Sequence, residues 1–200
     1  MIEAVIFDLF GTLVRLTRDT RPYFRLCRQT RSESRIRDSQ TIQAETLLDF
    51  CRSLEIAPPA DISQLQRNLE DDVASIEMFS DSLETLQKVN ATGVRVGLLS
   101  NLASPYRSCV KNLGLNQYLD TAVYSCDVGF AKPAQEIYEI ALQRLDVLPE
   151  RCVMVGDSLR CDVEGPKAVG MRGLQIDRNA TQSGGERIAS LSDILEHLSN

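Results

Sequence analysis

Residues 2–13 read Ile2-Glu3-Ala4-Val5-Ile6-Phe7-Asp8-Leu9-Phe10-Gly11-Thr12-Leu13. The mostly apolar first half predicts a buried β-strand, which ends in a carboxylate and a glycine-containing turn. From residue 94 onward, similar strands alternate with helical patterns. The predicted strands are Val94–Leu99, Ala122–Tyr124, Cys152–Val155 and Gly173–Ile176, and the predicted helices are Ser104–Leu113, Ala134–Leu145, Val163–Val169 and Leu191–Leu198. Because alternating strands and helices form right-handed crossovers, we expect an α/β fold with a mostly parallel sheet.

The stretch from residue 15 to residue 78 differs, because it carries helical spacing and no strand pattern. Two Pro residues in Ala57-Pro58-Pro59-Ala60 separate its two clearest helical patterns. Asp61 with Gln64 three positions later resembles a helix capping box, and the polar stretch Arg31–Ser39 is interpreted as a loop. We interpret residues 15–78 as a helical insert between the first strand and the rest of the sheet.

Composition narrows the class of protein. The 200 residues carry a net charge of −6, which disfavours nucleic acid as a partner. The sequence contains neither an apolar run of the ~20 residues that a membrane span needs nor a leader pattern, so we expect a cytoplasmic protein with no membrane partner. Its six cysteines form no Cys-x-x-Cys pair, and reduced thiols are expected. The single histidine, His197, is too close to the carboxyl end to suggest a general base, so the chemistry is expected to use carboxylates.

Polar residues stand where each predicted strand ends. The first strand ends in Asp8, the second in Ser100-Asn101, and the fourth in Gly156-Asp157-Ser158, with Asp162 close behind. Lys132-Pro133 follows the third strand. Ligands of open parallel sheets bind beyond the carboxyl ends of the strands, so we expect these side chains to converge on one edge.

Each of these residue types has a chemical use. Asp8 and Asp157 together suit a hard cation with oxygen ligands, for which Mg²⁺ is the best match, and Asp162 is a further candidate ligand. A carboxylate screened by a cation can attack phosphorus and form an aspartyl-phosphate, so Asp8 is the candidate nucleophile. Lys132 would neutralise phosphoryl oxygens.

Ser100 is a further candidate catalytic residue, and the remaining candidates would bind the substrate. The hydroxyl of Ser100 and the backbone N–H groups around Gly11, Thr12 and Asn101 would donate hydrogen bonds to phosphoryl oxygens. Arg15 and Arg18 immediately follow the first motif and are candidates for contact with an anionic substrate.

Four segments together resemble the motifs of the haloacid-dehalogenase-like superfamily. They are Ile6–Leu13, Leu98–Asn101, Gly129–Pro133 and Val155–Asp162. The resemblance implies a Rossmann-like core formed by residues 1–14 and 79–200, with residues 15–78 as a helical cap. It also implies a hydrolase that holds Mg²⁺ through Asp8, Asp157 and the backbone carbonyl of Phe10. Our hypothesis for its function is Mg²⁺-assisted hydrolysis of a small, phosphorylated metabolite through a covalent intermediate on Asp8.

Phe10 departs from the pattern of the family's phosphatases, which usually carry a second aspartate there as general acid and base. A phenyl ring cannot donate a proton to a leaving group, and general acid catalysis typically contributes ~10²–10⁴-fold. Three hypotheses stay open: a phosphohydrolase that needs little leaving-group protonation or obtains it elsewhere, a 2-haloacid dehalogenase, and a non-catalytic protein that binds phosphorylated ligands or a partner. Asp157 and Asp162 count against the dehalogenase, whose fourth motif is not of the Gly-Asp-Ser type. The sequence does not indicate the oligomeric state.

Overall fold

The computed structural model describes residues 1–198, except for the side chains at positions 33 and 34. In this part of the chain, six strands form one parallel sheet in the order β5-β4-β1-β6-β7-β8, and β2 pairs with β3 in a separate antiparallel ribbon. The strands are β1 Ala4–Phe7, β2 Val14–Leu16, β3 Ile76–Met78, β4 Arg95–Ser100, β5 Thr121–Tyr124, β6 Cys152–Gly156, β7 Arg172–Ile176 and β8 Arg187–Ile188. The predicted α/β fold with a parallel sheet is confirmed.

Helices cover both faces of the sheet and form most of the segment between β2 and β3. The α-helices are α1 Pro22–Gln29, α2 Leu47–Ser53, α3 Ile62–Ala74, α4 Ser82–Ala91, α5 Ser108–Asn112, α6 Ser125–Val128, α7 Gln135–Leu145, α8 Gly165–Ala168 and α9 Ile194–Leu198. Short 3₁₀ helices lie at Glu33–Gln40, Ser104–Arg107, Leu115–Tyr118, Pro149–Arg151 and Leu191–Asp193, and a π-helix at Leu159–Glu164. Among residues 1–198, no helix has the length and apolarity needed to cross a bilayer.

The central strand β1 explains why the amino-terminal sequence is so apolar. Val5 and Phe7 are buried in the core on one face of the sheet, and Ala4 and Ile6 are buried in the core on the other. A strand covered on both faces needs apolar side chains at successive positions rather than at alternate ones. The first aspartate of the sequence is thereby placed at the centre of the sheet, directly after β1.

The segment between β2 and β3 has a hydrophobic cluster of its own. Tyr23, Leu26, Leu47, Phe50 and Leu69 are among its buried members. The two short strands pair where the chain leaves the sheet core and returns to it, with Val14 opposite Met78.

Three details of the sequence interpretation of this segment were wrong. Strands β2 and β3 each have three residues, too few to produce a recognisable period in the sequence. The stretch interpreted as a loop contains the 3₁₀ helix Glu33–Gln40. Asp61 makes no capping hydrogen bond and instead accepts one from Gln29 Nε2 at 3.0 Å.

The helical segment also contacts the sheet core. The backbone N–H of Ala44 donates to Ser104 Oγ at 3.1 Å, in a buried position. Arg107 forms ion pairs with both Glu45 and Asp127, one carboxylate from each part of the chain. These contacts hold the segment over the carboxyl ends of the strands.

Candidate active site

The polar residues predicted from the strand ends do converge. A cavity of about 150 Å³ is lined by residues that include Asp8, Ser100, Asn101, Lys132, Asp157 and Asp162. Phe10, Ser158 and Cys161 complete the lining. We call this space the acidic cavity. Because β1, β4 and β6 are parallel neighbours, their carboxyl ends meet at one edge, which brings together residues more than 100 positions apart in the chain.

Asp8 lies at the centre of this edge and is 6% exposed. Its backbone N–H donates to Val155 O at 2.8 Å, which continues the pairing of β1 with β6 beyond the strand. Its Oδ1 accepts a hydrogen bond from Lys132 Nζ at 2.8 Å. Burial raises the pKa of Asp8 to about 6, because desolvation outweighs the attraction of Lys132. The carboxyl group is therefore mostly ionised at neutral pH.

Lys132 joins two carboxylates. Its Nζ lies 2.6 Å from Asp162 Oδ1 as well as 2.8 Å from Asp8 Oδ1, and its side chain is 3% exposed. Burial acts to lower the pKa of Lys132, but the two carboxylates outweigh burial and raise it. The ammonium group is therefore charged throughout the physiological range.

Asn101 holds the backbone of Lys132 in place. Its side-chain Oδ1 accepts from the Lys132 N–H at 2.7 Å, and its Nδ2 donates to the Lys132 carbonyl at 2.9 Å. The sequence predicted only a backbone contribution from Asn101. Its amide side chain orients the lysine that reaches Asp8, a function that spacing along the chain could not indicate.

Asp8, Asp157 and Asp162 form a cluster that could hold a metal ion. Each offers a carboxylate oxygen, and the three oxygens lie within 4.8 Å of one another. With one ammonium group among three carboxylates, the ionised cluster carries a net charge of −2. Burial, and then the charge of Asp162, raise the pKa of Asp157. A divalent cation with a preference for oxygen ligands fits both the charge and the donor set.

Asp162 differs from the other two carboxylates in its hydrogen bonds. Its Oδ1 accepts from Lys132, and its Oδ2 accepts from the backbone N–H of Ser158 at 3.0 Å. It is 1% exposed. Both oxygens thus have protein partners, which favours Asp8 and Asp157 over Asp162 as direct ligands of a cation.

Two glycines permit the close approach of these groups. Gly11 has φ +80°, and a Cβ on it would collide with the carboxylate of Asp157. A Cβ on Gly156 would collide with the side chain of Asp162. The glycines in the first and fourth motifs are therefore required by packing against the acidic cluster.

Some predicted site residues are not brought to the acidic cavity. Arg15 pairs with Glu77 at 2.5 Å and Arg18 with Asp71 at 2.9 Å, and neither arginine lines the cavity. The N–H of Gly11 donates to Val14 O at 2.8 Å within the turn, and its contribution to substrate binding stays a prediction. Thr12 is fully buried, and its Oγ1 has no hydrogen-bond partner.

Arg178 makes structural contacts near the site that sequence analysis missed. Its guanidinium donates to both oxygens of Asp81 at 3.0 Å and to the backbone carbonyl of Thr12 at 2.6 Å. It also lies over the ring of Phe79, 3.7 Å from the centroid. Arg178 thus ties the turn after Asp8 to the point where the chain re-enters the sheet core. No local pattern signals a contact between residues 166 positions apart.

Comparison with known proteins places the chain in a family. A family profile described as haloacid dehalogenase-like hydrolase matches residues 2–170. The chain is 33% identical over 103 residues to ribulose-1,5-bisphosphate 5-phosphatase of Halopiger xanaduensis, covering 51% of this chain and 43% of that protein. It is 32% identical over 112 residues to glyceraldehyde 3-phosphate phosphatase of Methanothermobacter thermautotrophicus, covering 55% and 49%. The chain thus matches about half the length of these two relatives.

The fold also matches solved structures. The crystal structure of a HAD phosphatase from Thermococcus onnurineus superposes with a TM-score of 0.69 at 26% identity, covering 98% of each chain. The profile spans more than half of the 200 residues, and the structural similarity extends over 98% of the chain. The chain belongs to the haloacid dehalogenase-like hydrolase family.

Proposed function

We propose that this chain is a Mg²⁺-dependent phosphohydrolase that acts on a small, phosphorylated metabolite through an aspartyl-phosphate on Asp8. The observation that carries the proposal is the cluster of Asp8, Asp157 and Asp162, in which Lys132 pairs with the buried Asp8 and Asp162. The printed names of two relatives, a ribulose-1,5-bisphosphate 5-phosphatase and a glyceraldehyde 3-phosphate phosphatase, support the substrate class.

The proposed nucleophile is suited to its task. With a pKa of about 6, Asp8 is mostly ionised at pH 7 and is held by Lys132. One carboxylate oxygen attacks phosphorus, the new O–P bond forms, and the bond to the leaving oxygen breaks. Water then cleaves the aspartyl-phosphate and restores Asp8. Lys132 balances negative charge on Asp8 and on the phosphoryl oxygens, and Asp162 holds its ammonium group in position.

Asp8 and Asp157 would hold the cation, with the backbone carbonyl of Phe10 as a third ligand. Mg²⁺ would screen the repulsion between the carboxylates and the phosphoryl group. Asp162 is proposed to act mainly by positioning Lys132 and the Ser158 N–H. Ser100, 1% exposed and lining the acidic cavity, is proposed to donate its hydroxyl to a phosphoryl oxygen.

The proposed architecture assigns residues 1–14 and 79–200 to the catalytic core and residues 15–78 to a cap. The separate hydrophobic cluster of the helical segment and the β2–β3 ribbon at its base support this division. Arg15 and Arg18 stay predicted substrate contacts. For either to act, its side chain must leave the carboxylate with which it is paired.

Phe10 restricts the leaving group. Its ring packs edge-on against Tyr106, with centroids 5.9 Å apart, so an apolar group occupies the position from which the family's usual aspartate would donate a proton. We infer that the leaving oxygen is protonated by water or by a group of the substrate. A halide needs no proton, which keeps dehalogenation as the alternative to be tested.

The test is a measurement of phosphate and halide release with Mg²⁺ and with a chelator. We expect phosphate release that requires Mg²⁺ and is abolished in Asp8→Asn. Glu139→Gln, a change at an exposed position on α7, serves as the matched control. Halide release that survives chelation would identify a dehalogenase, and phosphate release at an unchanged rate in Asp8→Asn would refute the assigned nucleophile.

A further inference from the structure

A second cavity adjoins the acidic cavity, between the sheet core and the helical segment. It measures about 260 Å³, and its lining includes Phe10, Leu16, Tyr23, Gln40, Asn101 and Tyr106. Phe10 and Asn101 line both spaces. We call this second space the interface cavity. A phosphate ester whose phosphoryl group lies at Asp8 could extend its leaving group past Phe10 into it.

The interface cavity is neutral. Among the described residues that line it, none carries a charged side chain, and most of the lining is aromatic or aliphatic. A charged leaving group would lose its hydration there without gaining a counter-ion, which is strongly unfavourable. An uncharged group with a few oxygen atoms would meet apolar surface and a small number of polar contacts.

Tyr23 carries a polar group that is left without a partner. The residue is 7% exposed, and its hydroxyl forms no hydrogen bond. Its ring packs edge-on against Phe50, with centroids 5.1 Å apart, inside the hydrophobic cluster of the helical segment. Buried tyrosine hydroxyls usually find a partner, because an unmade hydrogen bond in a protein interior is unfavourable. Because Tyr23 also lines the interface cavity, a ligand seated there could supply the missing acceptor.

We propose that Tyr23 is a specificity residue, whose hydroxyl donates a hydrogen bond to an uncharged oxygen of the leaving group seated in the interface cavity. The inference rests on the proposed phosphohydrolase function and names its substrate class: monophosphates of small, neutral, hydroxyl- or carbonyl-bearing molecules. Burial raises the pKa of Tyr23, so the hydroxyl keeps its proton and serves as a donor at any physiological pH.

Another cavity offers a competing location for the leaving group. It measures about 590 Å³ and is lined by Arg37 and Arg160, with Lys132 and Cys161 shared with the acidic cavity. Two arginines would suit a leaving group with a second anionic group. The two arginines are exposed, whereas the unpartnered hydroxyl of Tyr23 is buried. The interface cavity is therefore the favoured site for the leaving group.

Three phosphate esters of equal carbon number separate these possibilities. Glycerol 3-phosphate has uncharged hydroxyls, n-propyl phosphate has none, and 3-phosphoglycerate adds a carboxylate. We expect the wild-type protein with Mg²⁺ to prefer glycerol 3-phosphate. Tyr23→Phe should lower the ratio of kcat/KM for glycerol 3-phosphate over propyl phosphate by roughly 3- to 10-fold, mainly through KM, which corresponds to the loss of one hydrogen bond.

Two controls make the result decisive. Tyr118→Phe removes a hydroxyl that accepts from Gln87 Nε2 at 3.3 Å on the surface, and it should leave the ratio unchanged. The Tm of ligand-free Tyr23→Phe should equal or exceed that of the wild type, because no hydrogen bond is lost. A lower Tm would indicate that the Tyr23 hydroxyl stabilises the fold rather than binding a ligand, and it would overturn the inference.

The remaining outcomes are also distinguishable. Phosphate release with an unchanged substrate ratio in Tyr23→Phe overturns the inference and leaves the proposed function standing. A preference for 3-phosphoglycerate that falls in Arg37→Met or Arg160→Met assigns the leaving group to the arginine-lined cavity and also overturns it. If the wild-type protein releases phosphate from none of the three esters, the proposed function fails and the inference fails with it.

Discussion

Replacing the proposed nucleophile should make the metal-free protein more stable at neutral pH. Burial raises the pKa of Asp8 from 3.8 to about 6, so the folded protein binds this proton more tightly than the unfolded chain. The free energy of unfolding therefore falls as pH rises from about 4 to about 6, and the loss is complete above that window. At 1.36 kcal/mol per pKa unit, ionised Asp8 destabilises the fold by about 3 kcal/mol at pH 7.5.

Asparagine has a similar shape and does not ionise, so Asp8→Asn should remove this penalty. We expect the free energy of unfolding of the variant to exceed that of the wild type by about 3 kcal/mol at pH 7.5 and by less than about 1 kcal/mol at pH 4. For a protein of this size, the larger difference corresponds to a Tm increase of about 6–12 °C. The assay is thermal and urea-induced unfolding with a chelator present, at both pH values.

Mg²⁺ should reduce the difference, because the cation stabilises only the protein that retains both ligands. Glu139→Gln removes an exposed carboxylate from α7 and controls for the change in net charge. A variant that is less stable than the wild type at pH 7.5, or a difference that is equal at pH 4 and pH 7.5, would refute the reasoning. The first result would mean that the ion pair with Lys132 outweighs the desolvation of Asp8, and the second that the two effects cancel.

Three further changes test other parts of the site. Asp157→Asn should abolish the stabilisation by Mg²⁺. In the wild-type protein this stabilisation should reach about 2.7 kcal/mol when the Mg²⁺ concentration is 100 times Kd. If Mg²⁺ raised the Tm of the variant as much as that of the wild type, Asp157 would not be a metal ligand. Phe10→Asp should raise the phosphatase rate, by up to ~10²–10⁴-fold if only the general acid is missing; no change in phosphate release would favour a binding role or a halide leaving group. Arg178→Met should destabilise the fold by about 2–3 kcal/mol at pH 7, because Asp81 loses a charged hydrogen-bond partner. Burial acts to raise the pKa of Asp81, but Arg178 and the Leu191 N–H lower it. The stabilisation by the Arg178–Asp81 pair is therefore present above the ordinary pKa of 3.8 and is lost as pH falls below that value. If urea unfolding showed that Arg178→Met lowers the free energy of unfolding equally at pH 7 and at pH 3, the result would be inconsistent with an ion pair.

The order of polar residues along the chain already contained much of the site. Asp8, Ser100, Lys132 and Asp157 each stand at or after the end of a predicted strand, and parallel strands bring such positions to one edge. This inference needed only local signals: apolar runs that ended at defined residues, and turn residues after them. The same local signals identified the helical segment, because Pro58 and Pro59 separate two well-formed helical periods.

Other features depend on contacts that no local pattern encodes. The strands of the β2–β3 ribbon have three residues each and form because their partners are brought together by the rest of the fold. Asn101 orients Lys132 from 31 positions away, and Arg178 reaches the carbonyl of Thr12 across 166 positions. Both arrangements depend on which strands become neighbours, and sequence periodicity reports only whether a strand forms.

The amino-acid sequence by itself determined the class of fold and the polar residues that meet at the strand ends, since strand periodicity and strand-end residues are properties of short segments. Only the tertiary structure decided how charge is distributed among those residues. It placed Lys132 between Asp8 and Asp162 and brought the carboxylate of Asp157 close to both of these acids. It also buried the Tyr23 hydroxyl without a hydrogen-bond partner. Desolvation and hydrogen bonding depend on the neighbours that surround a group in space, and those neighbours come from distant parts of the chain.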